Sequence, residues 1–426
     1  MSELYFRIIN DFEECYNNSV ICEAQTEHNI CELKNIFFYL GLGNFAQEVF
    51  LPIDNPDLKI TKDFYKIYLF GTVTLGSVYD LRDPNTWKYF VSKGLDINSD
   101  HNNFAIKWAS KYGHQEVVKF LVENEIDIHI DKNNALMRAC MEGHLEIVKY
   151  LIDCGANIHD DNGLAFIRAS HFGHIDVVKY LLENCINIEQ YLGDGLESAS
   201  FYGQFEIIKL LVEYGNNTGL KYVKPIKCGG SYGFVDVNAL TSAISNERLE
   251  IIKYLVENCN NIGEVIDEGL IHASSLGYLK IVKILVENGA NVRINNDKPL
   301  EVALKKGNLE LVKYLINCDA NIQAISDEAL VSASASGSLE IVKYLIENID
   351  GINTIHRALT IASHNNKIEV MKYLMKNGAD ITKDDISPKW TFNFTSPHVK
   401  KFFIENSIDI KSLPYNNEFD PQQFFQ

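Results

Sequence analysis

The sequence lacks a long apolar run. The longest uncharged stretch near the start of its repetitive part is "IYLFGTVTLGSVY" at residues 67–79, and a membrane-spanning helix needs roughly 20 apolar residues. The first residues, "MSELYFRIINDFEEC", mix charged with apolar side chains from the third position onward, unlike the apolar centre of a signal peptide. We therefore expect a cytoplasmic protein that has no membrane partner.

Close cysteine pairs are absent too. The nine cysteines stand singly, without a C-x-x-C pair, which is typical of reduced thiols in a reducing compartment rather than of a disulfide framework. Cys15, Cys22, His28 and Cys31 are residue types that bind zinc, but their spacing lacks the close cysteine knuckle of structural zinc sites. We favour packing of these side chains in a small cap, and we expect no metal or other cofactor.

Basic residues are fewer than acidic ones. The chain has 39 Lys and Arg against 57 Asp and Glu, a formal net charge of −18, and 46% hydrophobic residues. This composition indicates a folded chain rather than a disordered one. The acidic charge argues against a nucleic-acid partner, because phosphates select basic surfaces.

What the sequence does contain is a repeat. A lysine inside an apolar block returns eleven times, mostly every 30 residues, and a fixed period of this size is the signature of stacked repeats. The lysines that mark the register are Lys88, Lys119, Lys149, Lys179, Lys209, Lys253, Lys283, Lys313, Lys343, Lys372 and Lys401.

Each repeat reads as two helices joined by a tight turn. Ten residues before the lysine stands an alanine, such as Ala139, and three residues earlier a large apolar residue, such as Leu136, which places both on one helical face. Four residues after the alanine, seven repeats have a glycine, the residue that most easily takes a left-handed turn. Glu247 and Asn366 replace it in two others.

This unit resembles the ankyrin repeat. "GHLEIVKYLIDCGANI" is close to the second-helix motif of that family, and "KPLEVALKKGN" at 298–308 is similar to its first-helix motif. The period of 30 is shorter than the usual value of about 33, which predicts short hairpin links. The resemblance implies an all-α fold, an ankyrin-repeat α-solenoid with divergent N- and C-terminal caps. The 30-residue form is similar to the ankyrin proteins of giant DNA viruses of amoebae.

The organisation that we predict has three parts. Residues 1–64 form a non-repeat capping segment, residues 65–410 an array of about 10–11 repeats, and residues 411–426 a tail. The spacing of 44 residues between Lys209 and Lys253 places a long link insertion near residues 217–236. Long insertions are more often functional or mobile than structural, and a mobile finger is the interpretation that we prefer.

The repeated lysine has acidic neighbours. In eight repeats an acidic residue stands three positions before it, as Glu146 does before Lys149, and in eight repeats another stands four positions after it, as Asp153 does. All three lie on one helical face. We interpret this face as the solvated outer edge of the second helix rather than as a basic stripe for nucleic acid.

The candidate partner-binding residues lie elsewhere. In ankyrin arrays the exposed end of the first helix and the hairpin links build the concave surface, where residues vary without harm to the core. Exposed aromatic residues are common anchors of protein interfaces. The alternative, which we favour for these aromatic side chains, is that they fold over the next repeat as core. The predicted binding residues are Tyr112, Met141, His171, Phe172, Phe201, Tyr202, Lys224 and Lys227.

Motifs for catalysis are weak. "IFFYLGLGNFAQ" at residues 36–47 contains G-x-G-x-x-A, but the region is too short for the several βαβ units of a dinucleotide fold. "CGGSYG" in the insertion is not followed by the G-K-[ST] of a phosphate-binding loop. The histidines after the turn glycines are replaced freely in later repeats, which a catalytic group does not tolerate. We expect no enzyme.

These observations predict a non-catalytic scaffold or adaptor that binds a partner protein on the concave face of the array, and a host factor is the candidate partner. The resemblance implies a viral protein in the cytoplasm of the infected cell. The alternative is a structural or virion-associated ankyrin protein without a specific host target.

Overall fold

The computed structural model describes residues 4–10, 19–22, 30–51, 59–63, 66–99, 104–218, 239–259, 263–349, 354–380 and 397–406. The chain divides into two compact units, residues 1–219 and residues 220–426, which are called unit 1 and unit 2 below. In these described ranges, no helix is long and apolar enough to cross a membrane.

Unit 1 begins with an antiparallel β-sheet, which the sequence analysis did not predict. The closing strand β6 pairs with β3 near its start and with β4 near its end, and β1 lies between β3 and β4, so these four strands form a closed circuit. The sheet continues to Asp80, past residue 64. Its strands are β1 (Tyr5–Ile9), β2 (Ser19–Cys22), β3 (Ile30–Glu32), β4 (Phe45–Phe50), β5 (Lys59–Asp63) and β6 (Lys66–Asp80).

The sheet packs against the first helix of the array, α1 (Pro84–Ser92). The Phe6 ring on β1 meets the Phe90 ring edge-on at 5.0 Å, and the ring of Tyr79 on β6 stacks on that of Tyr89 at 4.8 Å. Burial of such aromatic surface away from water is a strong stabilising contribution. The apolar face of the first helix is therefore covered by the sheet.

Unit 1 continues as two layers of helices. Neighbouring first helices of the repeats pack on one another, and so do neighbouring second helices; they are called inner and outer helices below. The inner helices are α2 (Phe104–Lys111), α4 (Ile130–Glu142), α6 (Leu164–Phe172) and α8 (Leu192–Tyr202). The outer helices are α1, α3 (Gln115–Glu123), α5 (Leu145–Asp153), α7 (Ile175–Asn184) and α9 (Phe205–Thr218).

Unit 2 has the same alternation, and each inner helix again packs on the next one. Its inner helices are α10 (Ala239–Ser245), α12 (Gly263–Leu276), α14 (Ile294–Lys306), α16 (Ile322–Ser336) and α18 (Ile355–His364). Its outer helices are α11 (Leu249–Asn258), α13 (Leu279–Glu287), α15 (Leu309–Asn317), α17 (Leu339–Asn348), α19 (Ile368–Lys376) and α20 (Pro397–Glu405).

The repeat register predicted from the sequence is the packing register. All nine of its alanines are fully buried, with a relative exposure of 0%, because a methyl group is all that fits where an inner helix approaches its neighbours. The large apolar residue three positions earlier is buried in every repeat as well, as in Leu136 and Phe166. The nine register alanines are Ala109, Ala139, Ala169, Ala199, Ala243, Ala273, Ala303, Ala333 and Ala362.

The turn between the two helices is left-handed in every repeat, as the glycines predict. The seven turn glycines have φ between 77° and 83°, and the substitutes Glu247 and Asn366 have φ of 52° and 57°. In this turn the amide of the residue immediately before the outer helix donates back to the carbonyl of the register alanine, as His144 N does to Ala139 O at 2.9 Å. This bond ends the inner helix and satisfies one of its open carbonyls.

Links between repeats are short, and within the described residues no strand follows Asp80. Three of the described links contain 3-10 turns, as at Asp160–Asn162 and Ile188–Tyr191, rather than the short hairpins that we expected. A 30-residue period holds two helices and a turn, so that few residues are left for a hairpin. The long insertion near 217–236, the tail at 411–426, and Lys224 and Lys227 lie outside the described residues.

The register lysines lie on the exposed edge of the outer helices. Six of them pair with the acidic residue three positions before, with Nζ to Oε1 distances from 2.6 Å for Lys372 to 3.6 Å for Lys313. Among the described ion pairs, Lys401 alone pairs with the acid four positions after it, Glu405, at 3.8 Å. Exposed pairs of this kind contribute only about 0.2–0.5 kcal/mol each.

Candidate functional site

The predicted binding residues of unit 1 lie at the carboxyl ends of the inner helices. Each repeat contributes the two residues that precede its turn glycine, so that side chains from α2, α4, α6 and α8 stand in register on neighbouring helices. This surface is called the inner face below. It comprises Lys111 and Tyr112, Met141 and Glu142, His171 and Phe172, and Phe201 and Tyr202.

The aromatic side chains of the inner face are exposed. Tyr112 and Tyr202 each have a relative exposure of 47%, and Phe172 and Phe201 each have 44%. They therefore do not fold down as core, which was the alternative that the sequence analysis favoured. Met141 and His171 are half-buried. Exposed aromatic groups held by rigid helices can bind a partner at a low cost in conformational entropy.

His171 lies at the centre of an aromatic stack. Its ring lies 4.2 Å from that of Phe172 and 3.4 Å from that of Tyr202 on the next inner helix, and both pairs are nearly parallel. Phe201 meets Tyr202 at 4.9 Å. Burial and the Arg168 guanidinium lower the pKa of His171, which favours a neutral ring in the stack.

Tyr112 belongs to a separate group. Its ring lies 6.2 Å from Trp108 on its own helix, and the Lys111 ammonium lies 5.0 Å from its centroid. Met141 and Glu142 stand between this group and the stack on the intervening helix α4. The structure thus gives two aromatic clusters with a mixed apolar and acidic helix end between them.

Hydrogen bonds between repeats hold the backbone of this surface in place. The residue after each turn glycine donates to the carbonyl of an inner-face residue 33 positions earlier. His144 Nε2 donates to Lys111 O at 3.0 Å, His174 Nε2 to Met141 O at 2.8 Å, and Gln204 Nε2 to His171 O at 2.9 Å. Two of the three accepting carbonyls, those of Met141 and His171, belong to the predicted binding residues.

His114 is the exception in this series. The carbonyl 33 positions before it belongs to Leu81, and that carbonyl accepts the indole N–H of Trp87 at 2.7 Å. His114 Nε2 is buried without a hydrogen-bond partner in the described residues, and its ring packs on Trp108 at 4.6 Å. Burial, with Arg82 and His144, lowers the pKa of His114 to about 4, although Asp80 acts in the opposite direction.

Two hydrogen-bond patterns of the repeats were missed by the sequence analysis. In seven outer helices an asparagine five positions after the register lysine donates its side-chain amide to the carbonyl four residues before it, as Asn184 does to Tyr180 O at 2.9 Å. In unit 2, Asp267 and Asp297 accept the backbone N–H of Asn291 and Asn321 in the following link, at 2.6 and 2.7 Å. Their recurrence at the repeat period was the available signal.

The weak motifs near the N-terminus form no cofactor site in the described residues. The G-x-G-x-x-A stretch lies on a 3-10 helix, Leu33–Leu42, and on β4, within an antiparallel sheet that lacks the parallel βαβ unit of a dinucleotide fold. Cys31 is fully buried, and burial followed by the charge of Glu32 raises its thiol pKa to about 12. Zinc binds the thiolate, which this environment opposes. Cys15 and His28 lie outside the described residues.

Stacked pairs of antiparallel helices joined by left-handed turns define a helical repeat protein. The family model for ankyrin repeats (three copies) matches residues 78–162, 136–222, 196–296, 240–326 and 300–385. The chain belongs to the ankyrin-repeat family. Ankyrin repeats generally mediate protein–protein interactions and are generally non-catalytic.

Similar proteins occur in Acanthamoeba polyphaga mimivirus. One, named as an ankyrin repeat protein, is 35% identical over 149 residues, which cover 31% of this chain and 72% of that protein. An uncharacterized protein is 44% identical over 88 residues, or 21% of this chain and 63% of its own length. A third, also named as an ankyrin repeat protein, is 38% identical over 101 residues, or 24% of this chain and 30% of its own length.

Among solved structures, the ankyrin repeat domain of human ASB11 aligns with a TM-score of 0.39 and 20% identity, over 50% of this chain and 96% of that domain.

Proposed function

We propose that this chain is a non-catalytic scaffold or adaptor that binds a partner protein through the inner face of unit 1. Since the similar proteins belong to a mimivirus, the setting that we propose is the cytoplasm of a virus-infected cell, with a host or viral protein as the partner.

One observation carries this proposal. Four aromatic side chains, Tyr112, Phe172, Phe201 and Tyr202, are exposed by 44–47% on neighbouring inner helices of unit 1. The corresponding positions of unit 2 have no Phe, Tyr or Trp: they are Ser245 and Asn246, Ser275 and Leu276, Lys305 and Lys306, Ala335 and Ser336, and His364 and Asn365. Contact of an exposed aromatic surface with water is unfavourable in free energy, and a bound partner removes that contact. Because this surface occurs in unit 1, we place the binding site there.

The test is affinity purification of the full chain from infected cells, with the triple variant Tyr112→Ala, Phe172→Ala and Tyr202→Ala beside the wild type. We expect the captured partner to be reduced by at least about tenfold, because truncation of interface aromatics typically costs 2 kcal/mol or more in all. Ile186→Ala with Phe50→Ala is the matched control, since both side chains are exposed and apolar but lie off the inner face.

Undiminished capture of the same partner by the triple variant contradicts the assignment of the site. If wild-type chain captures no protein but is found in purified virus particles by mass spectrometry, the virion-associated role is favoured over the adaptor role.

A further inference from the structure

The inner helices of unit 1 carry a local excess of basic side chains on an acidic molecule. Lys107 and Lys111 lie one helical turn apart on α2, and Arg138 and Arg168 occupy the same register position on α4 and α6. On α2, α6 and residues 134–142 of α4, the single carboxylate is that of Glu142. The whole chain has a formal net charge of −18, so this surface has the opposite sign to the molecule.

The basic groups of the inner helices differ from the lysines of the outer helices in their pairing. Lys119, Lys149 and Lys209 each have a carboxylate at 2.7–2.8 Å on the same helix. In the part of the chain that the structure describes, Lys111, Arg138 and Arg168 form no ion pair; Arg138 Nε donates to Asn134 Oδ1 at 2.8 Å. Their charges are therefore not neutralised locally.

This basic surface has an acidic limit at α8. There the same face carries the carboxyl groups of Asp194 and Glu197; burial raises the pKa of both groups, and the charge of Asp194 adds to this effect on Glu197. The change of sign from α6 to α8 restricts the basic part to three adjacent repeats, beside the aromatic groups already described.

We propose that the inner face of unit 1 binds an acidic, extended segment of the partner protein, with carboxylates of that segment on Arg138 and Arg168. The proposal rests on the proposed function and names the chemistry of the partner. Guanidinium groups bind carboxylates in a two-pronged geometry, and the adjacent exposed rings of Tyr112 and Phe172 provide apolar contacts for the side chains between the acids.

The repeat geometry sets the spacing of those acids. Adjacent packed helices lie about 8–10 Å apart, and so do side chains at the same register on them. A polyproline II segment rises about 3.1 Å per residue with three residues per turn, so that every third side chain points the same way about 9 Å further on. An acidic residue at every third position therefore matches Arg138 and Arg168.

A nucleic acid fits this surface less well than an acidic peptide. Glu142 stands between Tyr112 and Phe172 on the inner face, and Asp194 and Glu197 end the basic region. The exposed edges of the outer helices carry the acidic residues that pair with the register lysines. A phosphate backbone requires continuous positive potential along its path, and among the side chains that the structure describes there, four are basic.

The experiment measures fluorescence anisotropy of a labelled peptide, four copies of Glu-Pro-Leu, with the full chain at low salt. We expect binding that weakens by about tenfold or more in Arg138→Glu with Arg168→Glu, since each loses a charge-assisted hydrogen bond and gains a repulsion. Lys119→Glu with Lys149→Glu on the outer edge changes the net charge equally, and we expect it to alter affinity by less than about twofold. If circular dichroism shows that the reversed charges impair folding, the variant Arg138→Gln with Arg168→Gln replaces it in the binding assay.

Several results overturn the proposal. The first is that the Glu-Pro-Leu peptide does not bind at about 1 mM, and the second is that a Lys-Pro-Leu peptide binds with equal affinity. The third is that the outer-edge variant loses as much affinity as the arginine variant. The fourth is that a 20-nucleotide single-stranded RNA binds more tightly than the peptide and that the arginine variants abolish this binding. If capture of the cellular partner is lost in the aromatic variant but retained in the arginine variants, the proposed function stands and the acidic segment is rejected. Retention in both sets rejects both.

Discussion

At the residue scale, the turn between the two helices of a repeat serves two purposes. Gly143 has φ of 79°, and a Cβ there meets the ring of His174 from the next repeat; at Gly113 (φ 77°) it meets His144 in the same way. The left-handed backbone ends the inner helix, and the missing side chain leaves space for the histidine that donates to Met141 O at 2.8 Å. One residue thus couples local backbone geometry to the packing of repeats.

This coupling gives a prediction for Gly143→Ala. We expect it to destabilise unit 1 by more than the roughly 1–2 kcal/mol of left-handed strain, because the new methyl group also displaces His174. Gly155→Ala is the control: its φ is 96°, but no atom lies within 4 Å of the added Cβ. Urea denaturation followed by far-UV circular dichroism checks this. Equal losses in the two variants mean that the contact between repeats adds nothing to the strain.

His114 predicts a pH effect. Its folded pKa is about 4, lowered from 6.5, so that the unfolded chain takes up a proton at higher pH than the folded chain. The stability that depends on neutral His114 is complete above pH 6.5 and is lost as the pH falls from 6.5 toward 4.

The measurement is the urea midpoint at pH 7 and pH 5 for wild type, His114→Gln and the exposed control His129→Gln. We expect the difference between the two pH values to shrink in His114→Gln alone, because glutamine does not titrate. The same difference in all three proteins contradicts this account of His114.

At the element scale, the charged edges of the helices and the aromatic core differ in how much they contribute to the free energy of unfolding. Lys149 pairs with Glu146 at 2.7 Å on the exposed edge of α5, whereas Phe90 on α1 is fully buried against Phe6 and Tyr79. Exposed pairs are screened by water, but a buried ring removed from a packed core leaves a cavity.

We therefore expect Lys149→Ala to leave the free energy of unfolding nearly unchanged and Phe90→Ala to lower it by about 3–5 kcal/mol. Chemical denaturation of the two variants in one buffer is the check. A Phe90→Ala loss below about 1 kcal/mol argues that the sheet and α1 are not packed as described.

The elements differ in how well the sequence predicts them. The helices repeat every 30 residues, so that a weak pattern in one copy is reinforced by the others, and the buried alanines and left-handed turns follow it. The N-terminal strands occur once, and most are three to six residues long. Alternation over so few residues does not separate a strand from a turn of helix, and β6 finds its partners far along the chain.

At the scale of the whole molecule, a repeat array needs its ends covered. The packing of the sheet on α1 within unit 1 leads us to propose that residues 1–80 are the N-terminal cap. Removal of these residues exposes Trp87 and Phe90, which are both 0% exposed in the intact chain.

For the chain without residues 1–80 we expect a lower urea midpoint and some aggregation, with the helical circular dichroism signal largely retained, because each repeat depends mainly on its neighbours. Deletion of residues 411–426 is the control, and we expect little effect from it. An unchanged midpoint after removal of residues 1–80 contradicts the capping role.

The sequence by itself determined the repeat unit, the place of its helices, the buried alanines and the left-handed turns. These features depend on spacings of three to ten residues and on the φ that glycine permits, which are local properties that recur in every copy. The tertiary structure alone decided that a sheet covers the first helix, that Tyr112, Phe172, Phe201 and Tyr202 are exposed, and that basic side chains of neighbouring inner helices share a face. These depend on contacts between residues about 30 or more positions apart, where packing rather than local preference selects the arrangement.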